Sequence, residues 1–426
     1  MKNALLVAWL CLMMLSMGMS LAQDAESTPE PVAPVSEGDY DILNFLLLGS
    51  DTNNQNNSGR TDVILIVSVN RSAGTVSLLS IPRDLYVYIP GWRLHRINTA
   101  YGHGESSGYE GGGAQLLADT IEYNLGIHID FHARVDFEEF KQIIDAVGGI
   151  ELTVDCTIQD WRLSEPDLDP VIEDNWEIFT LDAGVHNMDG DLALWYVRSR
   201  RTSSDFDRGR RQQDMMRALW RRILELDLLN QLPDIWGQVT EIVETNATLE
   251  DMAGLIPLAL TIDTSHIAAF TFRPNVEVTF GNSPDGFNVL VPVHPAVEEL
   301  VGQIMLPPTE RQLVQEHTTI EVVNGSGVPG LEQVAADRLA WEGFVPQVSE
   351  EGAAFRNYTV IYDYTGQTKG SSIEALQAIL RVSDEGIVLE PDPNREVDFR
   401  VILGGMYYSC THGVLLPNPE LETPDA

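Results

Sequence analysis

Apolar and polar positions fall into short blocks along this chain. Residues 42–48, 63–69 and 75–81 are apolar runs; the first is followed by Gly49-Ser50-Asp51, and Asn70 to Gly74 separate the other two. Runs of that length between turn-forming residues predict buried strands. From 114 to 125 the apolar residues recur at helical spacing and stop at Gly126, the residue expected just past a helix end. Residues 127–135 predict a strand, 137–147 a helix closed by Gly148-Gly149, and 150–154 another strand. This alternation predicts an α/β fold: a mixed central sheet with helices on both faces, an α-β-α sandwich.

Further along, 155–176 reads as an acidic, irregular surface loop and 180–190 as a turn. A long helix is expected from about 208 to 229, where Met215, Met216, Leu219, Ile223 and Leu226 recur at three- and four-residue steps and predict core contacts. Helices over 235–244, 249–260 and 296–305, with a strand pair over 268–272 and 276–280, complete an outer layer. Pro307-Pro308-Thr309 marks a boundary. Beyond it, a strand from 319, a glycine turn, a helix over 331–341 and strands over 359–364 and 399–403 predict a small C-terminal α/β domain.

The 426 residues, 44% hydrophobic, suffice for two or three domains. Lys2 is followed by an uncharged run over 3–22 that ends Ser20-Leu21-Ala22. That pattern predicts export, with 1–22 serving as a signal peptide or as a membrane anchor. Residues 23–40 are rich in Pro, Glu and Ser and predict a disordered linker. The expected order is then a catalytic domain over 41–306, a linker over 307–318, a second domain over 319–408 and an acidic tail over 409–426. Cys156 and Cys410 are the cysteines left after processing; an exported chain permits a disulfide, but two thiols so far apart in sequence do not establish contact. No CxxC and no HExxH occurs, so a zinc enzyme is not expected.

A formal net charge of -38 excludes nucleic acid as a general partner. Against that background nine arginines lie between Arg198 and Arg222. Guanidinium groups donate paired hydrogen bonds and keep their charge, so the island suits phosphate oxygens; its bland alternative is a solvated helix face. Asp51 and Asp62 flank the first two strands closely enough to meet at one edge of the sheet, and a carboxylate pair suits Mg²⁺ or Mn²⁺. Turn-forming Asp residues are the ordinary alternative. Pro82 ends the third strand, so Arg83 emerges on a turn. Residues 105–113 predict a mobile Gly-rich loop, because the GK[ST] ending of a phosphate loop is missing.

LLLGSD, RTD, SIPRDLYVYIP, RINTAYGHG, GGIELTVD, MDGDLALWYVRSR and DFDRGRRQQ follow one another over about residues 41–225. In order and approximate spacing they resemble the LytR-CpsA-Psr family. The resemblance implies an extracytoplasmic phosphotransferase that moves a glycopolymer from a polyprenyl-pyrophosphate carrier onto a peptidoglycan acceptor at the membrane surface, with a divalent metal. It implies Asp51 and Asp62 as metal ligands, and Arg60, Arg83, Arg198, Arg200, Arg208 and Arg211 as pyrophosphate contacts. Of these, Arg83, Arg200, Arg208 and Arg211, with Asp205, are the expected catalytic set. It also implies an apolar cleft between sheet and helices for the lipid tail. Asp207 stands where the family commonly has glycine, which leaves the role of Arg208 less defined than that of Arg211. Arg217, Arg221 and Arg222 are expected on a solvated helix face. Residues 319–407, with Val323-Asn324-Gly325-Ser326-Gly327, resemble the LytR C-terminal domain. The rival readings are a pyrophosphatase acting on the same carrier and a non-catalytic scaffold that binds wall polymer.

Overall fold

The computed structural model describes residues 28–50, 59–165, 168–262, 266–307, 317–367 and 372–410. The signal or anchor segment, Asp51, most of the 307–318 linker and the acidic tail past residue 410 lie outside the described residues. Among the described residues no helix is long and apolar enough to cross a membrane.

Strands β1 (Ile42–Ser50), β2 (Thr61–Asn70) and β3 (Thr75–Ser80) are antiparallel neighbours, with Leu46 opposite Ile66 and Val67 opposite Leu78. Every second residue of β1 is buried, as the period of two requires. One face carries Leu46, Leu48, Ile64, Ile66 and Leu79 into the main core; the other carries Phe45, Leu47, Val67 and Leu78 toward a second layer. A small pair, β4 (Tyr86–Tyr88) with β5 (Leu94–Arg96), leads to helices α1 (Ala100–Ser107) and α2 (Gly112–Leu125). A Cβ on Gly104 would lie 2.7 Å from Gly113 Cα, so the two helices touch through bare backbone. Residues 105–113, expected as a mobile loop, therefore belong to a packed helix pair.

Next come β6 (Phe131–Asp136), parallel to β1, and α3 (Phe137–Ala146), opened by an Asp136–Glu139 capping box. After β7 (Ile150–Val154) the region expected to be an irregular loop forms an antiparallel arm, β8 (Ile158–Leu163) with β9 (Trp176–Leu181). The expected turn at 180–190 holds a further strand, β10 (Gly184–Met188), paired with β7. Acidic loop composition masked these strands because partner-strand hydrogen bonds, which no local pattern reports, decide them.

Helices α4 (Gly190–Arg198), α5 (Asp205–Glu225) and α6 (Leu228–Ile242) follow. The chain breaks between α5 and α6 at Asp227, whose φ is 53°, earlier than the end expected at 229. Then come β11 (Glu244–Thr245), α7 (Leu249–Ala259), β12 (Ile267–Thr271), β13 (Val278–Asn282), β14 (Asn288–Pro292) and α8 (His294–Ile304). The central sheet is mixed, in the order β11-β6-β1-β2-β3-β12. β12 and β13, expected as a pair, separate: β12 joins β3 in parallel, and β13 pairs with β14.

The C-terminal residues build β15 (Thr319–Asn324), α9 (Leu331–Trp341), β16 (Val345–Val348), β17 (Val360–Asp363), α10 (Ile373–Leu380), β18 (Ile387–Leu389) and β19 (Phe399–Leu403). Their five strands form a separate mixed sheet, β16-β15-β19-β17-β18, with its own core. Helix α9 docks against the first domain. The Arg217 guanidinium lies 3.8 Å above the Trp341 ring, Arg221 Nη1 is 3.1 Å from Asp337 Oδ1, and Thr153 donates to Asp337 at 2.8 Å. Cys156 and Cys410 are joined across the same contact. Arg217 and Arg221 therefore do not lie on a solvated face; Arg217 is 3% exposed. Arg222 donates from Nε to the Val147 carbonyl at 3.0 Å.

Candidate active site

The hairpin end of β1 and β2, the exit of β3 and the start of α5 converge on one cleft. β2 opens with Thr61 and Asp62, and Thr61 pairs with Ser50 at the end of β1. The point of convergence is thus the end of two central strands rather than the lateral edge of the sheet. The ladder of β3 ends at Pro82, the chain turns as Leu85 N–H donates to the Pro82 carbonyl at 3.0 Å, and Arg83 projects back. Its Nη1 donates to Asp62 Oδ1 at 2.7 Å, and its Nε lies 3.7 Å from Asp84 Oδ2. Burial works against the Arg83 charge, but Asp62, Asp205 and Asp84 outweigh it and hold the guanidinium above its ordinary pKa.

Helix α5 begins at a capping box in which the Ser204 hydroxyl accepts from Asp207 N–H at 3.2 Å and Asp207 accepts from Ser204 N–H at 2.8 Å. Asp207, the residue out of pattern, is thus the helix N3 carboxylate, worth roughly 1 kcal/mol as a cap. One turn further in, Arg208 Nη1 meets Asp205 Oδ1 at 2.8 Å, and Arg200 Nη1 lies 3.6 Å from the same oxygen. The Arg208 side chain is 8% exposed. Burial first, then the like charges of Arg83 and Arg200, push its pKa down to about 10 despite Asp205. The helix can come this close because Gly209 has no side chain: a Cβ there would lie 3.2 Å from Ser80 Cβ.

Asp62, Ser80, Arg83, Asp205, Arg208 and Gln212 line the cleft. Gln212 was not anticipated; its place four residues after Arg208, on the same face of α5, was the available signal. Arg211, expected to bind pyrophosphate, is turned the other way. It is 3% exposed and donates to the carbonyls of Tyr196 (3.0 Å) and Ser199 and to the Ser203 hydroxyl (2.9 Å). All three partners belong to α4 or to the α4–α5 connection, so Arg211 braces the segment that presents Arg200 and Asp205.

Arg198 stacks 4.2 Å from the Phe137 ring and, with Arg200, lines a groove beside the cleft. Arg60 is exposed immediately before β2. Asp51 lies outside the described residues, so its meeting with Asp62 is not part of the observed geometry. Arg134 on β6, also unanticipated, donates to Ser50 Oγ at 3.1 Å and Glu244 at 2.7 Å at the end of β1. Among the described residues no group of three His, Cys, Asp or Glu forms a metal cluster. The donor chemistry nevertheless fits a hard divalent cation: Asp62 is a carboxylate, and Asp205 Oδ1 is buried beside Arg208 without hydrogen-bond geometry to it.

Following the same face of α5 away from the cleft, Arg208 and Gln212 give way to Met216, Leu219 and Ile223. These last three line an apolar cavity of about 380 Å³, closed on the sheet side by Phe45, Leu47, Val67 and Leu78 and by Leu229 and Leu255 from α6 and α7. The expected core contacts are present, with Met215 buried and Leu219, Leu226 and Met216 packed against core clusters; Met216, Leu219 and Ile223 also form part of the wall of the cavity. It lies between sheet and helices, as the lipid cleft was expected to.

Known proteins resemble the chain over this region. The family model described as the LytR_cpsA_psr family matches residues 14–304, and the one described as the LytR cell envelope-related transcriptional attenuator matches 317–407. The polyisoprenyl-teichoic acid–peptidoglycan teichoic acid transferase TagT of Bacillus subtilis is 28% identical over 55% of this chain and 70% of its own. TagU of Oceanobacillus iheyensis is 30% identical over 51% and 62%, and the probable cell wall biosynthesis protein LcpB of Corynebacterium glutamicum is 35% identical over 41% of each. The crystal structure of B. subtilis TagV superposes with a TM-score of 0.50 at 24% identity, covering 62% of this chain and 96% of TagV, a likeness of fold. With the family model spanning most of the chain, the chain belongs to the LytR-CpsA-Psr family, and a LytR C-terminal domain follows.

Proposed function

We propose that the chain transfers a teichoic-acid-type glycopolymer from a polyprenyl-pyrophosphate carrier to a peptidoglycan hydroxyl in the cell envelope. The observation that carries this reading is the stripe on α5. At 1.5 Å per residue, the step from Arg208 to Ile223 takes roughly 22 Å to go from a buried cation to an apolar cavity. A ligand with a diphosphate head and a long hydrocarbon tail matches that gradient; a soluble nucleotide does not use the apolar half.

In this reading Arg83 and Arg208 hold the diphosphate, and Asp62 and Asp205 hold the two guanidinium groups in position. Arg200 reaches the same carboxylate from the groove side. The acceptor hydroxyl oxygen attacks the phosphorus that bears the glycopolymer. The new P–O bond forms as the bond to the polyprenyl phosphate oxygen breaks, and polyprenyl phosphate leaves carrying the proton lost by the hydroxyl. Such a transfer depends on positioning and charge neutralisation rather than on a strong nucleophile, which suits a cleft of arginines and carboxylates. Asp62, together with Asp51, is the donor set for Mg²⁺ or Mn²⁺, whose role when bound is to neutralise charge on the diphosphate oxygens.

The test is transfer of labelled glycopolymer from a polyprenyl-pyrophosphate donor to peptidoglycan by the purified chain. Chelation should abolish transfer, Mg²⁺ should restore it, and Asp62→Asn should require at least tenfold more Mg²⁺. Transfer indifferent to chelation would remove the metal from the mechanism. Phosphate release at the same rate without acceptor would replace the transferase by a pyrophosphatase.

A further inference from the structure

A second groove, about 880 Å³, lies on the far side of α4 from the apolar cavity. That volume is within the ~300 to 1,000 Å³ of small-molecule sites. Its walls are the β8–β9 arm, α3 and α4, and its inner end is formed by Arg198 and Arg200. Since Arg200 also faces Asp205 at 3.6 Å, the inner end of the groove adjoins the arginine cleft.

The arm presents aromatic surface to this groove rather than to a core. Trp161 is 51% exposed and Trp176 is 36% exposed. The register places Trp161 opposite Ile178 and Leu163 opposite Trp176, so the two indoles share one face of the arm as a diagonal pair two rungs apart. The Trp176 ring is held by its Nε1, which donates to the Pro170 carbonyl at 3.0 Å, and the arm is tied to α4 by Trp195 Nε1, which donates to the Trp161 backbone carbonyl at 3.0 Å. Large aromatics held in place while exposed are unusual on a soluble surface and mark a binding face.

The charge around them is balanced. Lys141 is paired with Glu138 at 2.7 Å and Asp191 at 3.2 Å, and Asp160 accepts from the backbone N–H of Arg200 and Arg201 at 2.7 and 3.2 Å. The outer groove therefore offers ring faces and fixed hydrogen-bonding groups without a large net field, and cationic character is concentrated at its inner end. A sugar ring has apolar C–H faces and a hydroxyl rim and meets both requirements. A hydrocarbon tail would strand the charged groups, and a polyanion would meet Glu138, Asp160 and Asp191.

We infer that this groove is a saccharide-binding site, with Trp161 and Trp176 as its stacking platform, which delivers a sugar hydroxyl or a sugar-linked phosphate to the arginine cleft. The inference deepens the transferase reading and rests on it for the identity of the sugar. Two sources share the chemistry: the glycan strand of the peptidoglycan acceptor and the first sugars of the lipid-borne donor.

The test compares the full chain with Trp161→Ala, Trp176→Ala and the double variant, using chitotetraose as the binding probe and isothermal titration calorimetry as the readout. Transfer is assayed with acceptor strands and donor varied in turn. Both residues are surface-exposed, and the Tm of each variant confirms folding. The expected result is a loss of chitotetraose affinity by tenfold or more in the double variant, with a matching rise in KM for one substrate. A rise for acceptor strands identifies the acceptor; a rise for donor identifies the donor's sugars. Wild-type affinity and wild-type KM for both substrates in the double variant would overturn the inference while leaving the transferase reading intact. Chitotetraose binding that requires both tryptophans, in a chain that transfers no glycopolymer, would sink the transferase reading and keep the groove.

Discussion

Arg208→Gln is expected to separate function from stability. In the ligand-free chain the Arg208 charge sits at 8% exposure beside two other guanidinium groups, and its pKa is pushed from the ordinary arginine value down to about 10. At 1.36 kcal/mol per pKa unit the folded protein carries a strain of roughly 3 kcal/mol by keeping that group charged at neutral pH. A bound diphosphate supplies the missing counter-charge, so the strain becomes binding energy. Removing the charge should lower kcat/KM for transfer by about 10²- to 10³-fold, the usual cost of losing one preorganised donor to a developing phosphoryl charge. The unliganded variant should melt no lower than the wild type, because lost packing is offset by the relieved repulsion among Arg83, Arg200 and Arg208. Thermal melts with and without inorganic pyrophosphate complete the assay, and the wild type should gain more Tm from the ligand than the variant does. Transfer within threefold of wild type, or an equal pyrophosphate-induced gain in both proteins, would refute the placement of Arg208 on the diphosphate.

Two further expectations concern the opposite face of α5. Asp214 Oδ1 is buried without a hydrogen-bond partner, and burial, reinforced by Asp155 and Asp337 and opposed by Arg210 and Arg217, pushes its pKa up to about 7. The folded state thus holds a proton that the unfolded state releases near pH 4, so the stability present at low pH is lost as pH rises from about 4 to about 7 and levels off above that. Urea unfolding at pH 5 and pH 8 should show that fall in the wild type and a much smaller one in Asp214→Asn; identical pH dependence in both would count against it. Arg217→Ala removes a desolvated guanidinium–indole contact worth about 2 kcal/mol. Hydrogen exchange in α9 should accelerate while the Cys156–Cys410 bond stays intact, and unchanged protection would show that other contacts carry the docking.

Much of the α/β framework was legible because its signals are local. Apolar runs between turn residues marked β1 to β3, and Asp136 with Glu139 opens α3 as a capping pair. The site was legible as a set of residue types in order, but each arginine's direction was not. Arg208 and Arg211 are three residues apart on the same helix and have the same chemistry. Arg208 enters the cleft beside Asp205, and Arg211 braces the α4–α5 connection, where the Tyr196 and Ser199 carbonyls and the Ser203 hydroxyl accept from it. Asp207, read as an irregularity, is a helix cap. The β8–β9 arm was missed because its acidic sequence resembles a loop, and pairing between two segments more than ten residues apart leaves no short-range trace.

By itself, then, the sequence determined the strands marked by apolar runs, the periodic helices, the presence of an arginine-rich stretch and the likeness to a family, since all of these are written in residue type and spacing. The tertiary structure decided which face of α5 lines the cleft and which meets the C-terminal domain. It also made Met216, Leu219 and Ile223, besides their core contacts, part of the wall of a cavity. A helix with apolar or charged residues on several faces is compatible with more than one docking. The choice is made by what packs against it: the sheet through Ser80 and Gly209 on one side and Trp341 and Asp337 on the other. Neither contact is encoded within reach of a local pattern.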